Sequence, residues 1–434
     1  MNKRQVMKYY STRDKSRLYA ASLKEAASAG LAPDGGLYMP EVTPHIDMAE
    51  VGRLADISYA AMAAYLSKAI FSEIPENEIE RITADAYDFP VTLKEIGDGL
   101  HTLELFHGPT FAFKDFGARF MGRMMGLLNE GEDLTILTAT SGDTGSAVAH
   151  GFYGVEGIKV VILYPAGKVS PLQEAQMTTL GRNISAIKVD GSFDDCQRLV
   201  KAMFNDTDLR SRKRITSANS INILRWIPQS FYYFYGYCMW RRVSGKDRPE
   251  IVVPSGNYGN LAGGMLAARM GLPVKGFVAA SNANDVIPEY LHTGIYRPRP
   301  SVRTVANAMD VGAPSNYERM MAMCGDSFMD LKKEIRGFSC NDDEIKSAIA
   351  EISSRYGYLS DPHSAVGYLA TRQMDIEGFW LSTAHAAKFR EVTENATGLE
   401  TKLPPAFLDM MSKEKFFCTM SAEEDALKDF LLTI

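Results

Sequence analysis

The chain has 434 residues, 46% of them hydrophobic and 23% charged, with a net charge of −6. That length supports two or three domains and a large core, and the mild acidity leaves no electrostatic footprint for nucleic acid. No apolar run approaches the length needed to cross a bilayer.

Three further features bound the class. The N-terminal "MNKRQVMKYYSTRD" has charge but no apolar stretch after it, so a signal peptide is not expected. The five cysteines (Cys196, Cys238, Cys324, Cys340 and Cys418) lie far apart with no C-x-x-C pair. That is neither a zinc site nor a disulfide framework, and it suits a reducing cytoplasm.

In chain order, the first ninety residues pattern as mostly helical. An amphipathic stretch over 15–29 ends at Gly30 and "APDGG", and helical patterns follow over 48–71 and 76–87. "DFPVTLKEIGDGLHTLELF" reads as two strands about a Gly-Asp-Gly turn. From residue 114 onward the rhythm becomes strand, glycine-rich turn, helix. Strands are predicted at 134–140, 159–164, 184–190, 250–255, 273–280 and 379–383, with a long helix near 221–243. Ser170, Pro171 and Gln173 spell a capping box, and Asp361 followed by Pro362 spells another helix entry. Short, non-alternating apolar strands separated by helices predict parallel sheet covered on both faces. Ligands of such sheets sit beyond the carboxyl ends of the strands.

Several stretches carry chemical signals. "HGPTFAFKDFGARF" (107–120) sets Lys114 among Phe111, Phe113, Phe116 and Phe120. A buried lysine tends to lose its proton, and the neutral amine attacks carbonyls; alternatively the side chain snorkels to water. "TSGDTGSA" (140–147) follows a strand and opens a helix, whose free N–H groups suit an anion. Thr140, Ser141 and Thr144 add hydroxyls there, although a plain tight turn has the same look. "PSGNYGNLAGG" (254–264) repeats that context, with Gly256, Asn257, Gly259 and Asn260 shaped as a nest for a phosphate. In "SANSINILRW" (217–226), Asn219, Ser220 and Arg225 form a phosphate grip, or else a cap and a surface arginine. "LSTAHAAKF" (381–389) ends a strand on the hydroxyls Ser382 and Thr383 and leaves His385 and Lys388 unassigned. One glycine loop is weak evidence; two after separate strands, with a lysine in apolar company, point to a ligand with an anion at each end.

Taken together these motifs resemble the threonine synthases, and more narrowly their longer bacterial and fungal subgroup. "GLAPDGGLYMP", "LELFHGPTFAFKDFGARFMG", "TILTATSGDTGSAVAHGFYG", "VVILYPAGKVSPLQEAQMTTLG", "TSANSIN", "VPSGNYGN" and "TAHAAKF" fit in order over nearly the whole length. The resemblance implies an α/β fold of the tryptophan synthase β type (fold type II). Its two parallel-sheet domains would span 93–245 and 246–434, after a mostly helical N-terminal region over 1–92, with sheets free to exchange segments.

It also implies pyridoxal 5'-phosphate as cofactor and, as activity, carbon–oxygen lyase conversion of O-phospho-L-homoserine and water to L-threonine and phosphate. Lys114 would form the Schiff base with the cofactor aldehyde and serve as acid and base. Ser255, Gly256, Asn257, Tyr258 and Gly259 would bind the cofactor phosphate, Thr383 its pyridine nitrogen, and Asp143 would lie by its 3′-oxygen, sharing a proton there. Thr140, Ser141, Gly142 and Thr144 would hold the substrate carboxylate, and Asn219, Ser220 and Arg225 the substrate phosphate. No metal, nucleic acid or membrane partner is implied, and the protein would be a monomer or homodimer. Ala386 and Asn260 depart from the subgroup, which has proline and aspartate at those places.

Overall fold

The computed structural model describes residues 6–434; residues 1–5, the start of the segment read as lacking a signal peptide, lie outside it. In chain order the strands are β1 (Tyr9–Ser11), β2 (Tyr38–Pro40), β3 (Thr92–Gly97), β4 (Leu100–Glu104), β5 (Leu134–Ala139), β6 (Ile158–Pro165) and β7 (Ile184–Asp190). They continue with β8 (Ile215–Thr216), β9 (Glu250–Pro254), β10 (Gly276–Ser281), β11 (Ile335–Ser339), β12 (Gly378–Ser382) and β13 (Cys418–Ser421). β5, β9 and most of β6 and β10 are buried along their length, as strands covered by helices on both faces must be.

One sheet has the order β13-β7-β6-β5-β8, with every pairing parallel. The other has the order β11-β10-β9-β12-β4-β3, parallel except for the β3–β4 hairpin. The chain switches direction across the sheet between β5 and β8 in the first, to which β13 later adds beyond β7, and between β9 and β12 in the second. A crevice opens at such a reversal because the connections on its two sides leave in opposite directions. The loops after β5 and β8 flank one crevice, and those after β9 and β12 flank the other.

The helical N-terminal region packs on both sheets' helices as part of one apolar core that includes Tyr59, Phe116 and Tyr232. Its elements are shorter than the periodicity suggests. The helix expected over 15–29 runs only over Leu23–Ala29, because Ser22 and Glu25 form a capping box that fixes its start. The 48–71 pattern is two helices, Met48–Ala55 and Tyr59–Ile70, each opened by its own side-chain cap, Asp47 and Ser58. The long helix near 221–243 is interrupted by a 3-10 turn, Ile227–Ser230, at Pro228, which has no N–H to continue the ladder.

Candidate active site

Lys114 is the first residue of the helix Lys114–Leu128. Its place is fixed by an unusual seam: Ala112 bridges Ala384, and the Phe113 N–H donates to the Thr383 carbonyl at 2.9 Å. The lysine is thus held at the carboxyl end of β12. Of its aromatic neighbours only Phe113 forms a described cation–ring contact with Nζ, at 5.9 Å. Phe116 and Phe120 turn into the core against Tyr59 and Phe71, and Phe111 packs on Phe407. The aromatic company is therefore mostly scaffold. The side chain is 18% exposed, and burial lowers the amine's pKa from 10.5 to about 8. The Asp143 charge opposes that shift, while Lys388 and Arg225 reinforce it.

Asp143 opens the helix Asp143–Phe152. Its Oδ2 lies 4.0 Å from Lys114 Nζ, and its Oδ1 takes Lys388 Nζ at 2.7 Å and the Gln173 amide at 2.9 Å. Burial alone would raise the carboxyl's pKa, but the charges of Lys388 and Lys114, with hydrogen bonds from Lys388 and Gln173, hold it well below the usual carboxylate range. The carboxylate also has an ion-pair partner that the sequence reading did not assign to it, Lys388. Gln173 sits here because the Ser170 capping box sets the turn of its helix. Gly142, at φ 142°, lets the loop pass Gln173; an added Cβ would stand 2.4 Å from that side chain.

In the 140–144 loop the Thr140 hydroxyl oxygen accepts from the Gly142 and Gly145 N–H groups at 2.9 and 2.8 Å, bracing the turn from within. The N–H groups of Ser141, Asp143 and Thr144 have no protein acceptor among the described residues. Half-buried Ser141 and Thr144 add their hydroxyls.

The loop after β9 is built similarly. Ser255 is tied down by N–H donation to Ala280 and hydroxyl donation to Val253, while the N–H groups of Gly256, Asn257 and Tyr258 have no protein acceptor among the described residues. Tyr258, at φ 57°, makes the left-handed turn that leads these groups into the helix Gly259–Arg269, and its hydroxyl meets Ser281 at 2.5 Å. Gly256 is required by a close approach: a Cβ there would lie 2.6 Å from Met309 Cα. Asn260, buried beneath, accepts the Tyr232 and Tyr233 hydroxyls at 2.6 and 2.7 Å.

The third anion loop follows β8. Asn219 accepts the Thr138 hydroxyl at 2.8 Å, a contact made possible by the β5–β8 pairing. Ser220 accepts from the Asn257 amide at 2.7 Å, so this loop touches the one after β9. Arg225 is buried, with Nη1 on the Ala218 carbonyl at 3.0 Å and its stem against Gly117, and burial pulls its pKa down to about 10. The residue that caps the helix is Asn222, not Asn219 or Ser220. Behind the loop stands a second buried arginine, Arg319, which donates to the Ser220 and Ile221 carbonyls at 2.7 and 2.6 Å and stacks on Trp226.

Thr383 completes the set. Its N–H donates to Ser364 Oγ at 3.1 Å, and its hydroxyl has no protein partner among the described residues. Ser382 turns instead to Thr102, at 2.7 Å. The histidines left open by the sequence have protein partners: His107 pairs with Glu104, His385 caps the turn Ala386–Phe389, and His363 bridges Asp361 and the Ala308 N–H. Sequence reasoning missed Lys388, Gln173 as a partner of Asp143, and Arg319. Lys388 and Gln173 lay inside motifs already singled out, and Arg319 did not.

An amine of lowered pKa, an N–H nest and a hydroxyl without a described protein partner lie around one crevice, a set suited to pyridoxal phosphate, and comparison with known proteins gives the class. The family described as "Pyridoxal-phosphate dependent enzyme" matches residues 91–378. "Threonine synthase N terminus" matches 8–87, and "Threonine synthase, C-terminal" matches 364–431. The Serratia marcescens threonine synthase is 41% identical over 430 residues, covering 98% of this chain and 99% of that one. The crystal structure of the Escherichia coli threonine synthase superposes with a TM-score of 0.89 at 39% identity, covering 98% and 99% of the two chains. That of the PLP-bound Brucella melitensis threonine synthase gives 0.91 at 34% identity, covering 98% of each. The chain belongs to the threonine synthase family.

Proposed function

We propose that this protein converts O-phospho-L-homoserine and water to L-threonine and phosphate. The observation that carries the reading is the Asn257–Ser220 contact, 2.7 Å long, which joins two anion loops beside one depressed lysine. A permanent phosphate and a transient one need two such loops, and a hydroxyamino-acid dehydratase would need one.

Pyridoxal phosphate, when bound, supplies an aldehyde and an electron-withdrawing ring. Gly256, Asn257, Tyr258 and Gly259 would hold its phosphate, Thr383 its ring nitrogen, and Asp143 would face its ring oxygen. Lys114, as a neutral amine, would hold the cofactor through its aldehyde, and as a free amine it would take a proton from the substrate Cα and return one later. Ser141, Asp143 and Thr144 offer N–H groups to the substrate carboxylate, with Thr140 bracing them. Arg225, with Asn219 and Ser220, grips the substrate phosphate, so that the Cγ–O bond breaks toward a fixed cation. A Cβ proton is lost as that bond breaks; water then bonds to Cβ through its oxygen, its spare proton goes to the departed phosphate, and Cγ takes up a proton in place of the one Cβ lost. Arg319 positions this grip through the loop carbonyls.

The five cysteines are free, and four are buried, which supports a reducing compartment such as the cytoplasm. The protein would act as a monomer or homodimer. The test is stoichiometry: purified protein given O-phospho-L-homoserine should release one phosphate per L-threonine. Release of 2-oxobutyrate in place of threonine would refute the reading.

A further inference from the structure

Lys388 is the one buried cation at this site for which the proposed reaction has no use. It lies in the short turn after β12, where its side chain is wholly buried, and Asp143 is 4% exposed. Its Nζ makes two contacts, 2.7 Å to Asp143 Oδ1 and 2.7 Å to the Thr110 carbonyl. Thr110 in turn gives its N–H and hydroxyl to Asp115, at 2.9 and 2.6 Å. A buried ion pair of this kind contributes little net stability over a neutral pair of similar volume, because both charges lose their hydration. Its geometry is nonetheless over-determined, with Gln173 on the same carboxylate oxygen and Lys114 facing the other.

We propose that Lys388 is a positioning residue for the cofactor: as the permanent counter-cation of Asp143, it keeps that carboxylate ionised next to the ring oxygen and thereby tunes how tightly the cofactor–Lys114 unit holds its proton. This rests on the proposed placement of the cofactor. Without Lys388, the carboxylate and the ring oxygen would be two anions with only one cation, and a proton would be drawn into the site. With it, the charges alternate from Lys388 through Asp143 to the Lys114 nitrogen. The other titratable groups facing Lys388 are Asp115 on the Lys114 helix, His150 on the Asp143 helix and His385 in its own turn; Arg225 faces Lys114. His150 is held neutral by burial, its pKa lowered to about 4, and burial lowers that of His385 as well.

The experiment is a pH titration of the visible absorbance of the holoenzyme in the parent, Lys388→Gln, Asp143→Asn and the double variant. Glutamine keeps a donor for both the Asp143 and Thr110 oxygens, so a merely structural role is rescued by it and a charge role is not. Lys388→Gln should raise the midpoint by about one pH unit or more, the size expected for losing a charge a few ångströms away. Asp143→Asn should lower it, and the double variant, neutral at both places, should return to within about 0.3 unit of the parent. If Lys388→Gln alone leaves Asp143 an unpaired buried anion and is too unstable to titrate, the double variant, which lacks that charge, is compared with Asp143→Asn and decides alone. A Lys388→Gln midpoint equal to the parent's, or a double variant no nearer the parent than Asp143→Asn, overturns the proposal while leaving the cofactor reading intact. A parent holoenzyme with no cofactor absorbance would overturn both.

Discussion

Lys114 and Asp143 stand 4.0 Å apart, Nζ to Oδ2, each at the first turn of its own helix. That spacing is long for a hydrogen bond but short for a Coulombic interaction, so the amine feels the carboxylate without being captured by it. Burial wins, and the amine's pKa falls to about 8. The rate at which cofactor recombines with the apoprotein should therefore climb as the pH approaches about 8 and level off above it. The stability of the apoprotein should follow the same group. Between about 8 and 10.5 the unfolded chain binds the extra proton, so raising the pH across that window favours the folded state. Urea titrations of parent and Lys114→Met at both ends of the window would show this slope in the parent alone.

Arg225 is buried with a single protein acceptor among the described residues, the Ala218 carbonyl, which leaves most of its donors for a ligand. A charge-assisted hydrogen bond is worth roughly 1.5–3 kcal/mol. Arg225→Ala should accordingly raise KM for the phosphorylated substrate by about ten- to a hundredfold, with a smaller effect on kcat. Arg225→Lys should fall between. Steady-state kinetics with unchanged cofactor absorbance would check it.

Gly256 passes so close to Met309 that a Cβ would stand 2.6 Å from its Cα. Backbone cannot yield as a side-chain tip can, so Gly256→Ala should push the N–H nest out of shape. The expected result is cofactor affinity weakened by about tenfold or more, for an overpacking strain of roughly 1–3 kcal/mol. Fluorescence titration of apoprotein with pyridoxal phosphate reads it directly.

Asp361 caps the helix Pro362–Gln373, pairs with His363 at 2.7 Å and accepts the Ser364 hydroxyl, and Ser364 in turn holds the Thr383 N–H. Asp361→Ala should therefore cost at least the ~0.5–2 kcal/mol of a lost cap. It should also loosen Thr383, seen as a lower melting temperature together with faster loss of cofactor on dialysis.

Much of this was legible because it was local. The strands from 134 to 165 and the two glycine loops announced themselves by continuous burial and by strand–turn–helix rhythm. The capping residues Ser170 and Asp361 did so by chemistry within four residues. What escaped is non-local. β13, only "CTMS", finds its place by pairing with β7 some 230 residues earlier, and nothing in four alternating residues signals that. β11, "IRGFS", is too mixed in polarity to resemble a buried strand. Lys388 could not be told from a surface lysine until the Ala112–Ala384 bridge brought the turn after β12 against the Lys114 segment. The phenylalanines misled in the other direction: they flank Lys114 in sequence, but the helical turn sends Phe116 and Phe120 away from it.

The most direct test is to reduce the holoenzyme with borohydride and map the labelled peptide. A pyridoxyl group found on Lys114 alone, and absent from the Lys114→Ala variant, is the predicted result. Label on Lys388 or on any other lysine would contradict the assignment of Lys114, on which the role of every other residue in the site depends.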